Sequence, residues 1–376
     1  MSYEVDWRAV GGESKSGDCI AFRFGNFLSD PKDQIIVVID GGFRETGEGV
    51  VKLIKEVYGS NRVDLVISTH PDIDHLSGLN AVLEELKVGE LWMHKPWERR
   101  HEIRTYLTEG LISKAKFDEA VRKFSVDVRK SLTGANNLAK LAGEKGIPIY
   151  EPFQGRQAFN GVLTILGPTQ DFYNQTLAEA STTSSIQEAY GTIKEGIVGL
   201  AEKALTWIDE KLDVELLTEP DENATSPRNN SSVISLAKLE DKAFMFTADA
   251  GVPALVHAAD YAESLGYLIA SGIIYVQVPH HGSRRNVGPS ILDRLYGPRV
   301  SQEAEKREKV AMVLAAKQGA PKHPNGRVIN ALNRRGIQVE VTTGQDIVSR
   351  SAEVPMRKNW GPVTPVGFQP RYQDEE

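Results

Sequence analysis

The chain has 376 residues, 40% hydrophobic and 25% charged, which is enough apolar material for one large domain or two smaller ones and excludes a disordered or fibrous chain. No run of about 18 apolar residues occurs, and Met1 to Gly12 mixes charges with glycine, so neither a membrane span nor a signal peptide is expected and a cytoplasmic protein is. A single cysteine, Cys19, removes disulfides and thiolate cages, so a metal here must be held by histidine and carboxylate. The net charge is −7, yet His280 to Lys358 holds 15 Lys and Arg against 7 Asp and Glu, a basic stretch that suits an anionic substrate or equally a solvated surface.

In chain order, Cys19 to Phe24, Gln34 to Ile39 and Val63 to Ile67 read as strands, the last two so continuously apolar that both faces must be covered. Helical spacing joins them at Val50, Leu53, Ile54 and Val57 and resumes after His75 at Leu76, Leu79, Val82, Leu83 and Leu86, an α/β layer pattern. Residues 97–145 are charged and predict a helical insertion. Residues 146–175 carry a strand pair, around Pro148 to Tyr150 and Gly161 to Leu166. Residues 176–227 hold a second helical insertion, about Ser185 to Leu212, and a polar loop from Thr218 to Pro227. Within residues 228–350 strands (Ser232 to Leu239, Ala243 to Thr247, Ile273 to Val278, Val310 to Ala315, Gln338 to Thr342) alternate with helices (Pro253 to Ser264, Pro289 to Tyr296, Gly326 to Arg335), and residues 351–376 predict an irregular tail.

The strand ending at Ile67 runs into His70-Pro-Asp-Ile-Asp-His75, four potential ligands in six residues. Packing two carboxylates and two imidazoles so closely costs several kcal/mol unless a cation compensates. Alternation in an extended loop lets His70 and Asp72 share one ion while Asp74 and His75 turn to a second; without metal, Asp74 would be a helix N-cap. Two later strands also end in ligand-type residues, Phe244 to Asp249 and Tyr275 to Ser283 with its paired His280 and His281.

His70-x-Asp-x-Asp-His75, Asn229-Asn-Ser-Ser-Val233, Thr247-Ala-Asp249, Val278-Pro-His-His-Gly-Ser283 and His323-Pro324 together resemble the metallo-β-lactamase-like hydrolase domain of ComEC-type DNA-uptake proteins, in order and rough spacing from Gly17-Asp18 to Gly344. The resemblance implies an αββα sandwich, its halves in residues 1–96 and 228–350, binding two divalent ions, zinc or manganese. It implies His70, Asp72 and Asp249 as ligands of the first ion, and Asp74, His75, Asp249 and one of His280 and His281, with His281 favoured, as ligands of the second. Three positions depart from the wider family. Asp72 replaces a histidine and makes the first site richer in oxygen. Asn230 stands where many relatives carry another histidine, weakening that site, and Ala248 replaces a glycine.

Two such ions acidify a shared water and clamp an in-line displacement at phosphorus. Asp74 is then the candidate for orienting that water, and His323 for protonating a leaving oxygen. Ser283, Arg284 and Arg285, with Asn230, are candidates for gripping the substrate, and Asp40 for holding a ligand histidine from behind. A phosphodiester, in a nucleic acid or nucleotide, is the leading substrate. Lactone, ester or thioester hydrolysis is the second reading, and a metal-stabilised scaffold binding a protein partner through its helical insertions the third.

Overall fold

The computed structural model describes residues 1–11, 15–30, 33–99, 102, 132–182, 205–300, 307–316, 323–358 and 360–375. Two seven-stranded sheets face each other. The first contains β1 (Ser2–Trp7), β2 (Ile20–Gly25), β3 (Ile35–Ile39), β4 (Arg62–Ile67), β5 (Lys87–Trp92) and β6 (Ile149–Tyr150). The second contains β7 (Gln157–Ala158), β8 (Leu163–Gly167), β10 (Ile234–Leu239), β11 (Lys242–Phe246), β12 (Tyr275–Gln277), β13 (Val310–Val313) and β14 (Gln338–Val341). The chain then returns to the first sheet with β15 (Ile347–Arg350), giving orders β15-β1-β2-β3-β4-β5-β6 and β14-β13-β12-β11-β10-β8-β7. In both, an antiparallel side passes into a run of parallel strands, β3 to β6 and β11 to β14.

Alternation along β3 and β4 shows why these strands read as unbroken apolar runs. Val37, Ile39, Leu65 and Ile67 point into the space between the sheets, whereas Ile36, Val38, Val63 and Val66 pack under helices Arg44–Lys52, Leu79–Glu85 and Thr133–Glu144. Helices Val252–Ser264, Pro289–Tyr296 and Gly326–Arg334 cover the outer face of the second sheet. The result is four layers, αββα. Its inner seam is aromatic: the Phe22 ring centroid lies 5.8 Å from that of Phe246, and the Phe244 ring stacks 4.4 Å from Tyr275.

Five local expectations change. The N-terminal dozen residues include a strand, β1, whose Tyr3, Val5 and Trp7 face the inner core; its Glu4 and Asp6 are buried too, held by Arg23 and Arg357. Charge reads as surface in sequence, and only distant arginines make it interior. The segments around Pro148–Tyr150 and Gly161–Leu166 are not a pair, because β6 edges the first sheet and β8 lies in the second between β7 and β10. Part of the stretch expected to be helical to Leu212 is a strand, β9 (Leu205–Asp209), and the expected irregular tail ends in β16 (Arg371–Glu375), its antiparallel partner. The strands β5 and β15 were not anticipated. Most of both expected helical insertions, residues 103–131 and 183–204, lies outside the described residues; in the first, helix Thr133–Glu144 is present.

Most of the basic surplus near the C-terminus is engaged within the molecule. Arg334 pairs with Glu210, Arg335 with Glu215 and Asp293, Arg294 with Glu263, and Arg357 with Asp6. For the seam itself, Phe22→Ala is expected to lower stability by about 3–5 kcal/mol in denaturant unfolding, since it opens a cavity between two sheets that have no spare side chain to fill it; a loss below about 1 kcal/mol would show that the seam repacks.

Candidate metal centre

The centre lies where strand ends of both sheets meet. After β4 the chain runs through Ser68 and Thr69 to His70, stays extended at Asp72 (φ −70°, ψ 145°), and turns into a short helix, Ile73–Leu76. Asp72, not Asp74, occupies the N-cap position and makes no capping bond, so neither carboxylate is consumed by the helix. From the second sheet, β11 leads to Asp249 and β12 to His280 and His281, both in the left-handed region at φ 49° and 56°. Ala248 also has a positive φ, 47°, stabilised as its N–H and that of Thr247 donate to Gln277 Oε1. That conformation is one that glycine adopts without strain.

These elements bring the expected residues together. The Nε2 atom of His75 lies 3.3 Å from Asp249 Oδ1, that of His70 3.7 Å from Asp249 Oδ2 and 3.8 Å from Asp72 Oδ2, and that of His281 3.7 Å from Asp74 Oδ2. His280 is less enclosed, with Nε2 3.7 Å from Asp249 Oδ2. The imidazoles are oriented from behind. Asp40, at φ 53°, accepts from the Thr69 N–H and hydroxyl and lies 2.8 Å from His75 Nδ1. Behind His281, Nδ1 lies 3.0 Å from the Leu314 carbonyl and 3.2 Å from Asp18 Oδ1. Each ring therefore turns Nε2 inward.

Asp18 was not singled out in sequence. The Gly17-Asp18 pair precedes β2 like any turn, and its role follows only from Gln277 Nε2 donating to Asp18 Oδ2 across the two sheets. Asp18, His75 and His281, and likewise Asp40, His70 and His75, each bring three ligand-type atoms within 4.8 Å. The acids in both triplets face the Nδ1 side, so we read them as supports and place the ion on the Nε2 side. There, among the described residues, His70 Nε2, His75 Nε2, His281 Nε2 and Asp249 Oδ1 are buried without a hydrogen-bond partner. Buried ligand atoms without hydrogen-bond partners, on the same side of three imidazoles, fit divalent cations, the group that satisfies lone pairs of this kind.

Other expected residues are distributed differently. Asn230 is turned from the centre, its Oδ1 accepting from the Gly251 N–H; Asn229, one position earlier, faces it, with Nδ2 3.5 Å from Asp249 Oδ2 and 3.1 Å from His280 Nδ1. The turn of helix Pro227–Asn230 selects which asparagine points inward. His323 stacks on His280 at 5.2 Å between ring centroids. Ser283 Oγ accepts from the Arg285 N–H in the following turn, Arg284 lies 3.7 Å from Asp374, and Arg285 is exposed. Arg284 and Arg285 line an open depression of about 460 Å³ that also holds Glu219, Asp221 and Arg327, so its charge is mixed.

Electrostatics follow this geometry. Burial works to raise the Asp74 carboxyl, but His281 and the charge of His75 outweigh it and hold the group at about 2. Asp74 thus stays ionised across the physiological range, which suits a ligand or water-orienting acceptor better than a strong base. Burial works to lower His281, yet the hydrogen bond and charge of Asp18, then Asp74, lift it to about 10; His75 is likewise raised well above 6.5 against burial, chiefly by Asp249 and Asp18. His70 goes down, through burial and then His75.

Residues 32–140, which include the His70 to His75 segment, match the profile described as the metallo-beta-lactamase superfamily. The two facing sheets with helices outside them are consistent with a metallo-β-lactamase fold. A Thermotoga maritima protein, provisionally assigned as a metallo-beta-lactamase, aligns with 73% of this chain and 98% of its own at 9% identity and a TM-score of 0.34. No curated protein matches the chain. Among the described residues no helix is long and apolar enough to cross a membrane. The match over residues 32–140 and the clustered histidines and aspartates suggest a metal-dependent hydrolase.

Two outcomes are expected. Asp40→Asn keeps the shape and tolerates the positive φ, but removes the charge behind His75, so metal affinity measured by competition with a chromophoric chelator should fall about 10- to 100-fold. In metal-free protein, the raised His75 and His281 stabilise the fold fully below their ordinary pKa of 6.5, and that contribution disappears as pH climbs towards about 10. The melting temperature of chelator-treated protein should therefore decline across that window, and His281→Gln should flatten the decline; an unchanged slope in the variant would contradict the assignment.

Proposed function

We propose that this protein is a metal-dependent phosphodiesterase, acting on a phosphodiester such as that of a nucleic acid or nucleotide. The observation that carries the reading is the set of buried Nε2 and carboxylate atoms of His70, His75, His281 and Asp249 that lack hydrogen-bond partners on the inner side of the three rings. The series of motifs resembling the ComEC-type hydrolase domain supports the substrate class, and the oxygen-rich ligand set admits manganese beside zinc. A divalent ion held among these residues supplies a Lewis acid that acidifies nearby water and neutralises charge developing at phosphorus.

The chain's own groups do the rest. Asp74, ionised and 3.7 Å from His281, orients water for attack. Asp249, buried, faces Nε2 of both His70 and His75 and accepts from Asn229 Nδ2, so it joins β11 to the His70 loop. His323, stacked on His280 near the mouth, is placed to pass a proton to a departing oxygen. Arg285 is the exposed cation of the following turn, available to hold a phosphate oxygen.

Bis(p-nitrophenyl) phosphate with Mn²⁺ or Zn²⁺ tests the reading. Metal-dependent release of p-nitrophenol is expected, falling to background in Asp74→Ala while that variant keeps its melting transition. Turnover of a lactone or thioester alone would favour the ester reading, and metal binding with no turnover of any of these would favour the scaffold.

A further inference from the structure

Among the described residues, Arg228 is the one Arg or Lys that pairs directly with an expected ligand, Asp72. It lies in the short helix Pro227–Asn230, which is fixed at both ends: Ser226 Oγ accepts from the Asn229 N–H, and the Ser231 hydroxyl donates to the Arg228 carbonyl at 2.6 Å. Its Nη1 donates to Asp72 Oδ1 at 2.5 Å, while Oδ2 of the same carboxylate faces His70 Nε2. With side chains 14% and 26% exposed, the pair is screened less than a surface ion pair.

The two half-sites therefore differ sharply in charge. On one side stand Asp74, His75 and His281, with Asp18 and Asp40 adding negative charge behind the rings. On the other stand His70 and Asp72, and the charge of Asp72 is offset by a guanidinium that has no lone pair to offer a metal. Asn229 fills the remaining place there, and its Nδ2 points a donor, not an acceptor, towards Asp249 Oδ2. Asp249 is common to both.

We infer that the centre binds one divalent ion tightly, among Asp74, His75, His281 and Asp249, and that Arg228, held on Asp72, supplies the second positive charge and weakens the half-site of His70 and Asp72 for a second ion. This rests on the metal-centre reading but not on the choice of substrate. Arg228 is a positioning residue for Asp72.

Metal content and affinity test this without turnover. Wild-type protein, stripped and titrated with Zn²⁺ by calorimetry and checked by elemental analysis after dialysis, is expected to retain about one ion per chain. Arg228→Met should gain a second, its affinity rising by about tenfold or more, because a cation that repels the incoming ion is gone; Arg228→Lys should stay near one. Two ions of similar affinity in the wild type, or no gain in Arg228→Met, would overturn the inference. Should Arg228→Met not fold, Mn²⁺ titration of wild-type protein followed by electron paramagnetic resonance decides: an uncoupled signal at one equivalent is expected, and a spin-coupled pair at that ratio refutes it. Failure here would leave phosphodiesterase activity open, and absence of that activity would leave the ion count unaffected.

Discussion

The contact on which the centre depends is that between Asp40 and His75 Nδ1, at 2.8 Å. An imidazole has two nitrogens and only one can carry the proton in its neutral form, so a carboxylate fixed on Nδ1 leaves the Nε2 lone pair for the interior. Asp40 can do this because its backbone takes a left-handed turn immediately after β3 and because Thr69 donates to it twice. A strand end, a strained turn and a neighbouring loop thus combine to set one proton.

The remaining ligands are organised by the meeting of the two sheets. His70, Asp72, Asp74 and His75 come from a single loop of the first sheet, whereas Asp249 and His281 come from successive strand ends of the second. Neither half is a site alone. Asp18 and Gln277 tie them, since Gln277 bonds Asp18 through its amide nitrogen and receives the Thr247 and Ala248 amides on its oxygen, coupling the loop of one sheet to the turn before Asp249 in the other. The aromatic seam beneath keeps the sheets at a fixed spacing, and so keeps the ligand atoms within reach of one another.

Legibility in the sequence followed burial. Strands covered on both faces, β3 and β4, and helices with a clear apolar stripe, such as Pro289–Tyr296, declare themselves through local pattern. The strand β1 did not, because Glu4 and Asp6 break the apolar pattern and are made interior by Arg23 and Arg357, far away in the chain. Strands β9 and β16 pair across more than 160 residues and have no local signal of their own. Within the centre, residues that carry lone pairs and cluster in sequence, His70 to His75, were readable. Asp18, Asn229 and Arg228 were not, since their roles depend on which way a turn or a short helix points a side chain.

The pairing of β1 with β15 has a consequence for how the molecule is made. Glu4 faces Arg350 in that ladder, so β1 gains its second neighbour from a strand that is synthesised much later. Until then one border of the first sheet stays open, and the acids of β1 wait for Arg357 to neutralise them. Such long-range closure is slow, and a nascent chain in this state exposes an unpaired edge that chaperones or aggregation compete for.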